Sequence, residues 1–253
     1  MGHVQTLEYN GGNGKPLLFD WYTPETPGPH PVVVFWHGGG WISGDRSMYA
    51  DEVHHWTSQG YAVATPEYRL APLYTFPAAI DDVNAFFWHL AQNAEEMNID
   101  PRRLVSFGNS AGGHLSLMAA LSPGSIVAAA VAICPITDIR ETDGNDFAIA
   151  MSFVEQFMGG LPHEKPDDYA AASPVTLLDN LQCPLLLIHG KQDEIVPVEQ
   201  SRAFFKASID DGRLVTLLEL EGEGHSFTFE AWLKIRQEAT SFLRRVLDHA
   251  VAR

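Results

Sequence analysis

One serine lies in a pentapeptide that suits nucleophilic catalysis. Residues 108–112 read Gly-Asn-Ser-Ala-Gly and match the pattern G-x-S-x-G. They follow the apolar run Leu104–Phe107 and open Ser110–Leu121, a segment rich in small residues. A sharp turn from a strand into a helix lifts the hydroxyl of such a serine above a sheet. The pattern predicts that Ser110 is a nucleophile, although a serine that only caps a helix gives the same short motif.

A glycine-rich loop follows a second apolar run, Val32–Trp36, and reads His-Gly-Gly-Gly from residue 37. Consecutive glycines let the backbone approach a ligand and turn several N–H groups toward it. We expect the N–H groups of Gly38, Gly39 and Ala111 to stabilise the oxyanion of a tetrahedral intermediate. His37 is expected to hold the loop by hydrogen bonds. The P-loop signature of phosphate-binding loops is absent from this segment.

Two further side chains follow in the order Ser, Asp, His, which is one of the chain orders in which serine triads occur. Asp193 follows the apolar run Leu185–Ile188, and His225 lies in a Gly-Glu-Gly-His-Ser segment beyond the last apolar run. Open α/β sheets place their active sites at the C-terminal ends of strands. We therefore expect His225 to be the base and Asp193 to orient it. Glu194 is the alternative acid, but the apolar pair that follows favours Asp193 as the inward side chain.

Short apolar runs alternate with helical segments, and together these elements must position the candidate residues. Runs without polar residues indicate strands buried on both faces, as in a parallel sheet. Eight strands are predicted, at residues 4–9, 17–22, 32–36, 61–65, 104–107, 127–133, 185–188 and 214–220. Helices are predicted at residues 47–59, 77–92, 110–121, 146–158, 198–208 and about 226–250. This alternation predicts a doubly wound, mostly parallel sheet whose first two strands form an antiparallel hairpin, in a single domain of residues 1–253.

The segment 136–180 contains no predicted strand and is read as a short lid over one end of the sheet. The alternative is a structural excursion that never touches substrate. Trp41 and Asn109 beside the reactive motifs, with Phe153 and Phe157 of the insertion, are expected to line a substrate pocket. The aromatic side chains equally fit the core of the lid.

Composition narrows the function further. The 253 residues carry a net charge of −16 and 45% hydrophobic residues. Such a charge repels nucleic acids and anionic membrane surfaces, and the longest apolar run is too short to span a bilayer. The opening residues lack the pattern of a secretory signal. The two cysteines are predicted at opposite ends of neighbouring strands, so we expect free thiols and a cytoplasmic protein. No cofactor is expected, and no cluster of Cys and His suggests a metal.

The chain resembles the α/β-hydrolase esterases of the hormone-sensitive-lipase-like and feruloyl-esterase-like (BD-FAE) groups. The resemblance rests on HGGGW at 37–41, YRLAP at 68–72, FPAAIDD at 76–82 and GNSAGGHL at 108–115, together with the Asp193 loop and Gly-His225. It implies an α/β-hydrolase fold, a triad of Ser110, Asp193 and His225, and hydrolysis of a small-molecule ester. It also implies a homodimer that pairs through the last strand.

Departures from the pattern concern the substrate. Hormone-sensitive-lipase-like members carry Asp where this chain has Asn109, and they have a larger N-terminal cap. The chain looks closer to feruloyl-esterase-like and kynurenine-formamidase-like members, so an amidase or formamidase and a feruloyl or acetyl esterase remain alternatives. A non-catalytic binding protein on the same scaffold is a further alternative. The short lid favours small to medium esters, and the segment Tyr68–Pro72 is expected to brace loop and helix.

Overall fold

Eight strands form a mixed sheet in the computed structural model, which describes residues 4–140 and 148–251. The strands are β1 Val4–Asn10, β2 Pro16–Tyr22, β3 His30–Trp36, β4 Ala62–Pro66, β5 Ile99–Asn109, β6 Ala129–Ile133, β7 Leu185–Gly190 and β8 Val215–Leu220. Their order is β1-β2-β4-β3-β5-β6-β7-β8. β1 and β2 form the predicted antiparallel hairpin, and the strands from β4 to β8 are parallel. The predicted fold class is confirmed.

Seven α-helices of the described residues flank the sheet. They are α1 Ala50–Ser58, α2 Ala78–Gln92, α3 Ala111–Leu121, α4 Ala148–Met158, α5 Pro166–Ala171, α6 Glu199–Asp210 and α7 Phe229–Val251. Short 3₁₀ turns occupy Arg46–Tyr49 and Pro174–Asn180. The last helix starts three residues later than predicted because Thr228 caps it, accepting a hydrogen bond from the backbone N–H of Ala231 at 3.2 Å. None of these helices combines the length and apolarity that a membrane span requires.

Each face of the sheet has its own hydrophobic core. Val32 and Val34 of β3 point into the core shared with α2, α3 and α6. Val33 and Phe35 point into the core shared with α1 and α7. Burial of successive residues on opposite faces explains the uninterrupted apolar runs of the central strands. It also ties each strand to one register, because a shift by one residue exchanges the two faces.

A buried ion pair holds the segment before α2. The Asp82 carboxylate is fully buried and accepts from the Arg69 guanidinium at 2.8 Å. The same carboxylate accepts from the backbone N–H of Gly12 at 2.8 Å, beside the turn of the first hairpin. Arg69 therefore braces loop, helix and hairpin, in the place where the sequence predicted a brace.

The segment between β6 and β7 contains no strand where it is described, at residues 136–140 and 148–180. It holds α4, α5 and the second 3₁₀ turn, and the first two residues of the helix predicted at 146–158 lie outside the described residues. Cys134 follows β6 and Cys183 precedes β7, and both are buried free thiols, as predicted. The assignment of residues 1–253 to one domain stays a prediction.

Candidate active site

Ser110 lies at the sharp turn from β5 into α3. Its backbone has φ 55° and ψ −122°, in a region that disfavours residues with a side chain. The turn is held from the side of β3, where a Cβ placed on Gly112 would lie 1.9 Å from the carbonyl oxygen of Trp36. Only glycine permits this approach of the helix to the strand, and the approach keeps Ser110 in its strained conformation.

The three residues predicted as a triad are in hydrogen-bond contact. The Ser110 Oγ lies 3.0 Å from His225 Nε2. His225 Nδ1 lies 2.8 Å from Asp193 Oδ2. The carboxylate can only accept, so Nδ1 carries the ring proton and Nε2 is left to accept the proton of Ser110. This is the arrangement that a general base needs before it activates a hydroxyl nucleophile.

Asp193 is held in place by its own loop. Its side chain is fully buried, and Oδ1 accepts from the backbone N–H groups of Ile195 at 2.9 Å and Val196 at 2.8 Å. Burial raises the pKa of Asp193, but hydrogen bonds from His189 and His225 outweigh it and leave the pKa below its ordinary value. The carboxylate is therefore ionised at neutral pH.

Glu194 takes a different position from its neighbour. Its carboxylate accepts from the backbone N–H of His225 at 3.3 Å, whereas the imidazole of His225 is bonded to Asp193. Of the two acids considered from the sequence, Asp193 is the one that contacts the ring.

The glycine loop after β3 is fixed through its carbonyl groups. The Tyr68 hydroxyl donates to the His37 carbonyl at 2.9 Å, and His37 Nδ1 donates to the Gly38 carbonyl at 2.8 Å. The N–H and C=O of a trans peptide point in opposite directions. The N–H groups of Gly38 and Gly39 therefore point away from these two rings. His37 is buried and stacks on Tyr68 with ring centroids 4.3 Å apart, so it supports the loop.

The other side of this loop faces the nucleophile. A Cβ on Gly38 would lie 3.6 Å from the Cβ of Ser110. Ala111 is the first residue of α3, so its N–H has no acceptor within the helix and lies at the positive end of the helix dipole. The three N–H groups expected to bind an oxyanion thus flank Ser110. Their contact with a bound oxyanion stays a prediction.

A cavity of about 420 Å³ opens above Ser110 and His225. Trp41, Asn109 and Phe153, all predicted from the sequence, line it. Asn109 is oriented by the Tyr49 hydroxyl, which donates to its Oδ1 at 2.8 Å. Most of the wall is apolar, so the cavity suits a ligand with one reactive polar group and hydrocarbon on either side.

Phe157 does not line this cavity, which corrects the prediction. It is 1% exposed and stacks on Trp41 with ring centroids 4.5 Å apart. Its neighbours Val154 and Met158 are also fully buried in the core. The aromatic side chains of α4 divide accordingly. Phe153 reaches the cavity, and Phe157 supports Trp41 from behind.

Sequence reasoning missed several cavity residues. Met48, Phe227 and Trp232 line the cavity, and Ile136 and Ala150 line it from the insertion. The available signal for Phe227 was its position two residues after the predicted base. The rings of Phe227 and Trp232 contact each other, with centroids 5.8 Å apart.

A buried histidine connects the nucleophile helix to both the glycine loop and the insertion. The indole N–H of Trp41 donates to His114 Nδ1 at 3.3 Å, and His114 Nε2 donates to the Ala172 carbonyl at 2.8 Å. Burial lowers the pKa of His114 to about 4. The ring is therefore neutral at pH 7, which its acceptor role at Nδ1 requires.

One cluster in the described part of the chain has ligand types that metals prefer. Atoms of Cys134, His189 and Asp193 lie within 4.8 Å of one another. Two of these groups are already engaged, because Asp193 accepts from His225 and both ring nitrogens of His189 have hydrogen-bond partners. The donor set is better explained by hydrogen bonding around the carboxylate, and the absence of a metal cofactor stays a prediction.

Comparisons with known proteins agree with this geometry. The sequence model of the family described as BD-FAE matches residues 19–207. "Esterase LipQ" of Mycobacterium tuberculosis (strain ATCC 25618 / H37Rv) is 31% identical over 92% of this chain and 59% of its own length. "Esterase LipC" of the same strain is 30% identical over 86% of this chain and 58% of its own length. The chain thus spans less than two thirds of these relatives. An esterase of Pyrobaculum calidifontis superposes with a TM-score of 0.84 at 24% identity, over 96% of this chain and 86% of that one, which shows the fold.

Proposed function

The chain belongs to the BD-FAE family, and from this membership and the site geometry we propose that it is a serine carboxylic-ester hydrolase. The observation that carries the proposal is the hydrogen-bonded line of Ser110, His225 and Asp193, with contacts of 3.0 and 2.8 Å. The relatives named LipQ and LipC are esterases by name. This chain covers only part of their length, so the proposal of esterase activity is based on the residues of this chain.

The proposed reaction proceeds through an acyl-enzyme. His225 Nε2 takes the proton of Ser110 as Oγ attacks the ester carbonyl carbon, and the carbonyl oxygen becomes an oxyanion. The N–H groups of Gly38, Gly39 and Ala111 stabilise this charge. The imidazolium then gives its proton to the leaving alcohol oxygen. In the second half, His225 activates a water molecule, which attacks the acyl carbon and releases the acid and Ser110.

Small to medium esters are the proposed substrates. The cavity of about 420 Å³ is at the lower end of the range for small-molecule sites and has mostly apolar walls. The insertion that contributes Phe153 is short. An amide or formamide would fit the same triad, and so would feruloyl or acetyl esters.

The proposal is tested by hydrolysis of p-nitrophenyl acetate and butyrate with the wild-type protein and Ser110→Ala. We expect turnover by the wild type and a loss of about 10⁴-fold or more in kcat for the variant. A fluorophosphonate probe should label the wild type once, on Ser110, as located by mass spectrometry. A wild type that neither turns over esters nor reacts with the probe overturns the proposal and favours a non-catalytic binding protein.

The substrate class is then resolved with a panel. p-Nitrophenyl esters of increasing chain length, methyl ferulate, acetylated sugars and N-formylkynurenine cover the alternatives above. We expect the largest kcat/KM on a short or medium p-nitrophenyl ester. A larger value on N-formylkynurenine identifies a formamidase instead.

We also propose a cytoplasmic location and a homodimer. The location is supported by the buried free thiols of Cys134 and Cys183, which suit a reducing compartment. The dimer is supported by the position of β8 at the edge of the sheet, where its backbone can pair with a second copy. Light scattering of the purified chain tests the dimer, and a monomer at micromolar concentration contradicts it.

A further inference from the structure

A second histidine lies behind the triad, on the far side of Asp193 from His225. His189 is the fifth residue of β7 and is fully buried. Its Nε2 lies 2.8 Å from the Val196 carbonyl oxygen and 3.3 Å from Asp193 Oδ2. Its Nδ1 lies 2.7 Å from the Ser201 Oγ of α6. The reaction proposed above leaves this titratable group without a role.

The contacts of His189 show where its Nε2 proton points. A carbonyl oxygen only accepts, so Nε2 carries a proton and donates it toward Val196, with Asp193 on the same side of the ring. A serine hydroxyl both donates and accepts, so the bond between Nδ1 and Ser201 fixes the orientation of the ring. Ser201 is itself fully buried and lies on α6.

Both histidines converge on the same oxygen of the acid. Asp193 Oδ2 receives His225 Nδ1–H at 2.8 Å and faces His189 Nε2 at 3.3 Å. Oδ1 is held separately by the backbone N–H groups of Ile195 and Val196. His189 Nε2–H therefore faces the same carboxylate oxygen that orients the base.

We propose that His189, whose ring is held in orientation by Ser201, is a positioning residue that extends the triad to the line Ser201–His189–Asp193–His225–Ser110. The inference rests on the proposed esterase function and deepens it. His189 acts through Asp193 and touches no reacting atom. The alternative is a purely structural role, in which the hydrogen bonds of His189 to Ser201 and Val196 support the loop and have no effect on Asp193.

Other ionisable groups around this line are few among the described residues. Cys134 faces Asp193 from the end of β6, and burial together with the Asp193 charge raises the pKa of its thiol. Glu194 bonds the backbone of the His225 loop. Glu219 of β8 is paired with Arg202 of α6, and hydrogen bonding to Arg202 lowers the pKa of this carboxyl group.

The test compares His189→Leu, His189→Gln and Ser201→Ala by steady-state kinetics on p-nitrophenyl acetate between pH 5 and 9. Leu removes the donor, and the Gln side-chain amide restores an N–H near the position of Nε2. We expect Leu to lower kcat about 10- to 100-fold with KM within about twofold, since a hydrogen bond to a charged group is lost. We expect the acidic limb of kcat/KM to rise by about 0.5 pH unit, because an oxygen that loses a donor holds the His225 imidazolium more strongly.

The conservative variants separate positioning from support. His189→Gln should recover kcat to within about threefold of wild type. It should also return the acidic limb of the kcat/KM profile to its original pH, because the amide again supplies an N–H donor toward Asp193. Ser201→Ala removes one oxygen atom and should lower kcat about three- to tenfold, because the orientation of the His189 ring is no longer held. It carries the test if Leu fails to fold. A matched control is His30→Leu, since His30 is also buried, at 3% exposure, but lies at the start of β3. It should lower the thermal midpoint and leave kcat and the limb unchanged.

Two results overturn the inference. One is a folded Leu variant that keeps kcat within twofold of wild type. The other is a loss of kcat that Gln does not rescue and that leaves the limb where it was, which indicates support of the loop alone. Failure of the esterase proposal is distinct, because the wild type itself would then show no turnover that depends on Ser110.

Discussion

The cavity above Ser110 has two walls that are built differently. The strand-end wall consists of the glycine loop, the Ser110 turn and the loops of Asp193 and His225. The insertion wall consists of Ile136, Ala150 and Phe153. Backbone hydrogen bonds and buried polar side chains hold the strand-end wall, whereas apolar side-chain contacts form the insertion wall. We infer that the strand-end wall determines which reaction occurs, and that the insertion wall determines which substrates reach it.

Two glycines illustrate the difference. A Cβ on Gly112 would overlap the carbonyl oxygen of Trp36 at 1.9 Å, and backbone of a central strand cannot move aside. A Cβ on Gly40 would instead meet the ring of Phe153 at 2.7 Å, which belongs to a side chain. The strand-end wall is therefore intolerant of added volume, and the insertion wall can adapt by moving side chains.

The largest effect is expected from Asp193→Asn. The amide cannot accept the His225 Nδ1–H in the same way and favours the wrong tautomer, so kcat should fall by about 10⁴-fold. Glu194→Gln is the matched control, because Glu194 bonds only the backbone of His225 in this contact. It should change kcat by less than about tenfold. Equal losses in the two variants would show that the roles of these acids are not separate.

The second-largest effect is expected from Gly112→Ala. The overlap with the Trp36 carbonyl forces α3 away from β3, and we expect a loss of more than about 3 kcal/mol in the free energy of unfolding. Gly124→Ala is the control, since an added Cβ there meets no heavy atom within 4 Å and its cost comes only from the positive φ of 72°. It should lose about 1 kcal/mol. Urea unfolding measures both, and similar losses would contradict a rigid strand-end wall.

Acid should weaken the connection between the two walls at His114. Burial lowers the pKa of His114 from 6.5 to about 4, so the unfolded chain binds this proton before the folded protein does. The contribution of neutral His114 to the free energy of unfolding is complete above pH 6.5. It is lost as the pH falls toward about 4, by about 3 kcal/mol in total.

His114→Asn provides the comparison for this loss. Stability of the variant, from urea unfolding between pH 7 and 4, should fall less steeply than that of the wild type, by up to about 1.4 kcal/mol per pH unit. The other described histidines whose pKa values are lowered by burial remain in both proteins: His30, His37, His55 and His89. Identical slopes would show that His114 does not titrate in this range.

The smallest effect concerns Phe153→Ala in the insertion wall. Removing the ring enlarges the cavity, so kcat/KM on a longer p-nitrophenyl ester should rise relative to kcat/KM on the acetate. We expect a rise of about 10-fold, since one methylene group in an apolar pocket changes kcat/KM by about this factor. Phe205→Ala controls for the loss of a partly buried phenyl group elsewhere. It should leave the ratio unchanged. An unchanged ratio for Phe153→Ala would mean that this wall does not select substrates.

The strand-end wall was predictable from the sequence to a large extent. Local signals identify it, because a strained serine between glycines, a glycine loop and a histidine after a strand each need particular residue types. The sheet assigns these signals to one edge once the strands are recognised. Helix α7 began late only because the cap at Thr228 was not recognised.

The rest depends on contacts distant in sequence. β5 begins at Ile99 and not at residue 104. The prediction missed its first residues because the exposed Pro101 and Arg102 interrupt the apolar pattern. The placement of β4 outside β3 follows from packing that a single strand does not encode. Phe153 and Phe157 are identical residues one helical turn apart, and only the position of Trp41 distinguishes the cavity residue from the core residue.

The strand order also determines how the site comes apart. The nucleophile and the glycine loop follow β5 and β3 in the middle of the sheet, but the His225 loop follows β8, which pairs only with β7 at an edge. Edge strands exchange their amide hydrogens through local openings at a lower free energy than central strands. The nucleophile, the glycine loop and the acid thus follow strands that are paired on both sides, whereas the base follows an edge strand. On gentle heating, β8 and the His225 loop should open locally first. Activity should therefore fall while the circular dichroism of the sheet is still that of the native protein.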